Sequence, residues 1–430
     1  MSIPIRNITG FSKLAFNLRL CLDRTCYFGR DWLTGRSTFS QYIITLRRLL
    51  LFLITMQHNK FIGIDGKIRL GLYIPGFPSR AFDQATRKFC SFGIKSPSTT
   101  VLISVTSACA FRCEHCYQHL DKGADSPLGP ILDAARELQE SGTAFINVEG
   151  GDPFLAYDRL RQLCEAVDDR SEIWVNSAGK GVTLDRLLEL KALGLTAVMF
   201  SLHSHDPETM NRFMGRRDAW ETMQTAVELC HQAGVAVAFN SCLTVEQFAD
   251  GTFEAIMEQA LIFGACLIQL IKPKAAGNWL HTRHTTFPPE VLAAIVDKVS
   301  LYNCSREYQH YPSISAQIVE ESPEVFGCTA GGSDRFYINA KGDVQPCEFL
   351  NISFGNINQE PFINIFDRMR KTFDRPGEIW LCEKYSAYIS RTMEDKKIDR
   401  LPLPLAESRV LYEKWDRGPE TEIYKKIEKR

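Results

Sequence analysis

The sequence predicts an α/β protein built on a partial (β/α)6 barrel, with an α+β extension before the barrel and a small cysteine-bearing module after it. Three observations carry this. Six apolar runs, VLISVT (101–106), AFINVEG (144–150), EIWVNS (172–177), AVMFSLH (197–203), VAVAFNS (235–241) and ACLIQLI (265–271), alternate with stretches of helical period. Intervening segments such as LGPILDAARELQESG and DAWETMQTAVELCHQAG end in a glycine suited to a C-cap. Crossovers of this length make neighbouring strands parallel, and strands apolar on both faces need helices over both. An eight-fold barrel takes about 250 residues, whereas these repeats close near residue 305 and the pattern then changes.

Taken in order, residues 1–97 form the extension. FSQYIITLRRLLLFLITM reads as an amphipathic helix, too short and too charged to span a bilayer. It is expected to pack its apolar face on the barrel, with a peripheral membrane contact as the less favoured alternative. FIGIDGKIRLGLYI follows as a hairpin turning at Asp65 and Gly66. Residues 98–305 are the barrel, whose chemistry belongs at the carboxyl ends of the strands. Residues 320–385 contain short strands, glycine turns and Cys328, Cys347 and Cys382; residues 386–430 read as a charged, solvated tail.

The chain has 430 residues, 23% of them charged, and a net charge of −1, which gives no reason to expect a nucleic-acid partner. Fourteen cysteines might suggest disulfides in a short secreted chain. Here the length, a start without a secretory pattern, and three cysteines within eight residues point to metal in a reducing cytoplasm. Cys21, Cys26, Cys90, Cys164, Cys230, Cys242, Cys266 and Cys304 read as small hydrophobes.

TSACAFRCEHCYQ directly follows the first strand. Its Cys109, Cys113 and Cys116, spaced by three and then two residues, can wrap a loop around one iron–sulfur cube and ligate three corners, leaving the fourth iron open. A zinc knuckle, with His115 or His119 as fourth ligand, competes for the same cysteines. VEGGDPF ends the second strand, where Gly150 and Gly151 either let backbone approach a ligand or simply turn the chain. Asn176 and Ser177 end the third strand, and Ser201, Leu202 and His203 the fourth. Asn240, Cys242, Lys272 and Lys274 also sit toward the mouth. The histidines of HTRH (281–284) read as solvated, and no residue is assigned a catalytic role.

The cysteine motif with His115 before its last cysteine, followed by the barrel pattern, resembles the radical S-adenosylmethionine superfamily. The resemblance implies a TIM-like partial barrel and a [4Fe-4S] cluster on Cys109, Cys113 and Cys116. It also implies S-adenosylmethionine on the open iron, reductively cleaved to a 5′-deoxyadenosyl radical that abstracts hydrogen from a substrate, peptide or small molecule. An electron donor such as flavodoxin or ferredoxin is implied as partner. GGDP is similar to that family's Gly-Gly-Glu-Pro motif, with Asp152 in place of glutamate. This places Gly150, Gly151, Asp152 and Pro153 at the cofactor, together with His115, Tyr117, Asn176, Ser177 and Ser201. The segment GCTAGGSDRFYINAKGDVQPCEF and the downstream FGNI (354–357) resemble the opening of a SPASM extension. With Cys382 the one later cysteine, a shortened, twitch-like module with at most one auxiliary [4Fe-4S] cluster on Cys328, Cys347 and Cys382 is implied. The alternative from another class is an iron–sulfur electron carrier, or a zinc-stabilised interaction protein, without radical chemistry.

Overall fold

The computed structural model describes residues 6–91, 97–121, 123–281 and 287–428. The chain begins with β1 (Arg6–Ile8), α1 (Gly10–Leu33) and α2 (Phe39–Thr55), followed by the hairpin β2 (Phe61–Ile64) and β3 (Lys67–Arg69) and by α3 (Arg80–Arg87). Asp65 and Gly66 both have positive φ, as a type I′ turn requires, and they set Ile64 opposite Lys67. β1 adds to the outer edge of β2. A Thr38 capping box starts α2, with Gln41 N donating to Thr38 Oγ1 and Thr38 N to Gln41 Oε1.

Six parallel strands follow: β4 (Thr100–Ser104), β5 (Phe145–Glu149), β6 (Glu172–Ser177), β7 (Leu195–Ser201), β8 (Ala236–Cys242) and β9 (Leu267–Ile271). Between them run α4 (Leu128–Ser141), α5 (Tyr157–Ala166), α6 (Leu184–Ala192), α7 (Pro207–Phe213) and α8 (Ala219–Ala233). Gly142 and Gly234 close α4 and α8 in the left-handed region, the C-caps their sequence announced. The strands are buried on both faces, which is why they read as nearly unbroken apolar runs.

The sheet does not stop at residue 305. β10 (Ser313–Ala316) pairs parallel with β9, and at the opposite edge β11 (Tyr337–Ile338) pairs parallel with β4 and carries the antiparallel β12 (Val344–Gln345). The C-terminal module is therefore hydrogen-bonded into the barrel sheet. A four-residue strand with two serines offers too little apolar signal to be read from sequence.

The hairpin plugs the lower end of the barrel. Ile62, Ile64 and Leu72 pack with Phe145, Trp174, Ala236 and Leu267 near the starts of the strands. Arg69 enters this layer almost wholly buried, pairs with Glu172, and lies over the rings of Trp174 and Phe145 at 4.7 and 5.5 Å. Glu172 also accepts from Trp174 Nε1 at 2.8 Å and from Gly76 N at 3.0 Å.

Two expectations are corrected. Residues 386–430 are not a solvated tail: Leu401 and Leu403 are buried, Leu403 N donates to Asn351 O, and Tyr412 stacks on Phe354 at 4.4 Å. Its last helix, Glu422–Glu428, meets α2, where Arg48 Nε donates to Ile427 O at 2.9 Å. The fourteen cysteines are all free, but Cys26, Cys90 and Cys304 are exposed rather than core. As for α2, only its inner side packs, through Leu49 and Leu53, while Ile43, Leu50 and Ile54 face solvent.

Replacing Arg69 by alanine strands the Glu172 carboxylate in an apolar layer. The expected cost is about 3–5 kcal/mol, read as a lower urea midpoint at unchanged m-value. Arg69→Ala combined with Glu172→Gln should lose less than Arg69→Ala alone.

Candidate functional site

At the carboxyl ends of the strands lies a cleft of about 500 Å³, within the range of small-molecule sites. Its first wall is the loop after β4. Arg112 N and Glu114 N donate to Met214 O and Phe213 O at the end of α7, and Asn278 N donates to Cys116 O. Gly277 and Gly215 make these approaches feasible. A Cβ on Gly277 would lie 2.4 Å from the carbonyl oxygens of Cys116 and Tyr117, and one on Gly215 would lie 2.4 Å from Arg112 O.

Cys109, Cys113 and Cys116 all line the cleft. Burial pushes the Cys109 thiol up to about 11 and raises Cys113 further, with the neighbouring cysteines adding repulsion. Burial also raises Cys116. Three such thiols ionise together only against a bound cation, so cluster or metal binding must release their protons. His115 is turned into a cage of rings, 4.4 Å from His203, 4.8 Å from Phe213 and 5.9 Å from Trp279. Burial holds it down at about 4, a neutral imidazole. His119 is exposed. His115, held among these rings, and His119, in solvent, are thus placed differently from the three thiols.

The second wall is the end of β5. Gly151 N donates to Thr106 O and Asp152 N to Ala108 O, both at 2.8 Å. A Cβ on Gly150 would meet Thr106 O at 2.5 Å, and one on Gly151 would meet Ala108 O at 2.2 Å. The glycine pair thus serves the chain itself: it lets the cysteine loop lie flat on the second strand. Asp152 and Pro153 are buried directly beneath the cleft. Asp152 accepts from Ser177 Oγ at 2.8 Å and from Ala178 N at 3.2 Å, and burial, offset by these bonds, raises it to about 6.

Gly150, Gly151, Asn176, Ser177, Ser201, Asn240, Cys242 and Lys274 line the cleft with Tyr117 and His115. Lys272 does not; it is taken up by Glu383 at 2.8 Å from both oxygens. In the HTRH stretch, His281 Nδ1 meets Ser390 Oγ at 2.8 Å, while residues 282–286 lie outside the described residues.

Two carboxylates were missed. Glu149 accepts from Tyr117 Oη, from Asn147 Nδ2 at 2.8 Å and from Asn176 Nδ2 at 2.6 Å. Burial, then the charge of Glu348, lifts it to about 8, so it is protonated at neutral pH. A carboxylate closing an apolar strand just before Gly-Gly was a usable signal. Glu348, beside Cys347, became part of the site only through the fold.

Cys328, Cys347 and Cys382 all lie in the C-terminal module, near enough for their charges to interact, and Glu348, beside Cys347, reaches the cleft wall. Burial raises Cys347 strongly, with Glu348 and Cys382 adding to it, and raises Cys382 to about 12, with Cys328 among the contributors. Arg335 Nη2 lies 3.9 Å from Cys347 Sγ and pairs with Glu321, while Lys274 sits 3.3 Å from the Trp380 ring centre.

The donor sets fit the cofactors suggested by the sequence. Each triad offers three thiols, and Arg335 and Lys274 supply positive charge beside the second. Four buried polar atoms around the cleft, His115 Nδ1, His203 Nε2, Asn176 Oδ1 and Asn240 Oδ1, have no protein partner, as expected where a polar ligand completes them.

Residues 103–260 match the radical SAM superfamily, and residues 328–397 match SPASM, an iron–sulfur cluster-binding domain. The chain is 25% identical over 312 residues to an AdoMet-dependent heme synthase of Nitratidesulfovibrio vulgaris, covering 65% of this chain and 83% of the relative. It is 24% identical over 291 residues to a probable GTP 3′,8-cyclase of Sulfurisphaera tokodaii, covering 66% and 88%. Streptococcus suis SuiB bound to S-adenosylmethionine has the same fold, with a TM-score of 0.50 at 14% identity over 63% of this chain and 66% of that one. The fold and site define an iron–sulfur radical enzyme. Residues 103–260 form a radical SAM domain and residues 328–397 a SPASM-type module, which together imply [4Fe-4S] clusters and S-adenosylmethionine as cofactors.

Gly277→Ala should dislodge the cysteine loop, giving a folded chain by circular dichroism that has lost the iron of the first cysteine triad. Gly129→Ala, where an added Cβ meets nothing within 4 Å, should retain it.

Proposed function

We propose that this enzyme modifies or oxidises a substrate held between the barrel mouth and the C-terminal module. The first cysteine triad in the cleft wall, with Glu348 of the C-terminal module lining the same cleft beside Cys347, carries the reading. Cys109, Cys113 and Cys116 would hold the first cluster. Gly150, Gly151, Asn176, Ser177 and Ser201, with His115 and Tyr117, would bind S-adenosylmethionine, with Asp152 and Pro153 contributing from directly beneath. When bound, these groups supply a 5′-deoxyadenosyl radical that takes hydrogen from a substrate carbon.

The chain's own residues prepare the setting for this. The ring cage around His115 excludes water from one side. Tyr117, Glu149 and Asn176 keep a proton fixed in the wall by hydrogen bonds. Glu348 and Lys274, which border both the cleft and the second triad, place opposite charges where a substrate would lie. Cys328, Cys347 and Cys382 would hold one auxiliary cluster, near enough to bind substrate or take up its electron. A flavodoxin or ferredoxin in a reducing cytoplasm would supply the starting electron.

A peptide is the first substrate class to test, because SuiB of the same fold is described bound to its precursor peptide SuiA. The heme synthase relatives favour a small molecule as the second.

Reduced, reconstituted protein should cleave S-adenosylmethionine to 5′-deoxyadenosine, and Cys113→Ala should not; equal product from both would remove the radical reading. Reconstituted chain should hold about eight irons, and Cys328→Ala/Cys347→Ala about four. Four irons in both would remove the auxiliary cluster. Deuterium transfer from labelled extracts into 5′-deoxyadenosine would then identify the substrate.

A further inference from the structure

α1 and α2 form an antiparallel pair: Lys13 Nζ reaches Gln57 O and Asn59 O at one end, and Trp32 packs against Phe39 at the other, 5.2 Å between rings. Their inner sides, Phe16 and Leu20 on α1 and Leu49 and Leu53 on α2, are buried. Their outer sides are apolar as well. On α1, Phe11, Leu18 and Leu22 are 84, 59 and 69% exposed, and on α2, Ile43, Leu50 and Ile54 are 47, 51 and 60% exposed. Each set recurs at three-, four- or seven-residue intervals, so each is a stripe along its helix. Trp32 and Phe39, 40 and 56% exposed, join the stripes at the turn. An apolar surface of this extent marks a binding face.

Charge identifies what it faces. Residues 1–60 contain nine Lys and Arg, of which Arg24, Arg48 and Lys60 are buried, against two Asp and no Glu, leaving 41 basic against 49 acidic residues in the other 370. The chain is close to neutral as a whole only because a basic hairpin offsets an acidic body. Arg19, Arg30 and Arg36 are exposed beside the stripes.

We propose that the α1–α2 hairpin is a docking face for an anionic phospholipid bilayer, lying in the plane of the interface. Its apolar stripes enter the acyl boundary and its arginines meet the headgroup phosphates. The acidic body is repelled by the same surface, which fixes the orientation. Contrary to the expectation from sequence, Phe39–His58 has the length and composition to cross a membrane, because the helical segment runs on through Met56–His58; but its inner side is committed to protein: Arg48 donates to Ile427 O and to Phe89 O, and Leu49 and Leu53 are core. A helix bound along one side in this way lies on a bilayer rather than through it.

The test is flotation of the full-length, iron-loaded protein with vesicles of phosphatidylcholine alone or mixed with phosphatidylglycerol. The protein should float with the anionic vesicles and not with the neutral ones. Leu22→Glu/Leu50→Glu and Arg30→Glu/Arg36→Glu should each reduce the bound fraction at least about tenfold at unchanged iron content and circular dichroism. No flotation with anionic vesicles, equal flotation with neutral ones, or undiminished flotation of both variants overturns the proposal. So does a dimer by light scattering that Leu22→Glu/Leu50→Glu converts to a monomer while the unaltered protein ignores vesicles, since a second copy then covers the face.

Discussion

The mouth of the barrel is organised by the contact of two backbones. The loop after β4 lies against the end of β5 through Gly151 N on Thr106 O and Asp152 N on Ala108 O, and no side chain fits between them. With that contact made, Asp152 is buried beneath the loop and ties β5 to β6 through Ser177 and Ala178. Glu149 then stands beside Tyr117, and the three cysteines of the loop line one side of the cleft. The loop's own hydrogen bonds to Phe213, Met214 and Asn278 fix its other flank. A loop carrying three thiols that repel one another when ionised needs such external support, because without bound metal it has little internal reason to hold one shape.

The two ends of the barrel divide the work. At the lower end, Arg69 and Glu172 are neutralised by each other and packed under aromatic rings, an arrangement that closes the barrel and does no chemistry. At the upper end, polar atoms are left without protein partners. Four such atoms, on His115, His203, Asn176 and Asn240, gather around one cleft there, which marks the functional end.

Much of this was legible in the sequence, and the exceptions have physical causes. The six strands declared themselves because burial on both faces leaves almost no polar residue to interrupt them. α1 did not, because Leu14, Phe16, Leu18, Leu20 and Leu22 alternate like a strand. In the fold, two of these are core while the others are exposed, so the helix is apolar on opposite sides. β10 was too short, and the buried Leu401 and Leu403 sat between prolines that read as a break. Within the site, the cysteines and the glycine pair stood out by spacing. Asp152 was placed at the cofactor by its motif, and its carboxylate bonds to Ser177 and a backbone amide beneath the cleft, a structural role its motif did not announce. Glu348 and Arg335 have no local pattern, and only the fold brings Glu348 to the cleft and Arg335 beside Cys347.

That pairing has a mechanical consequence. Tyr337 and Ile338 sit in register with Leu102 and Ile103, so the module is continuous with the strand that leads into the first cysteine triad. The position of the module against the first cysteine triad is thus set in part by backbone hydrogen bonds rather than by side-chain packing alone. The same continuity makes the module an edge protector: a chain shortened before β11 would present β4 as a bare, apolar edge, open to pairing with other chains.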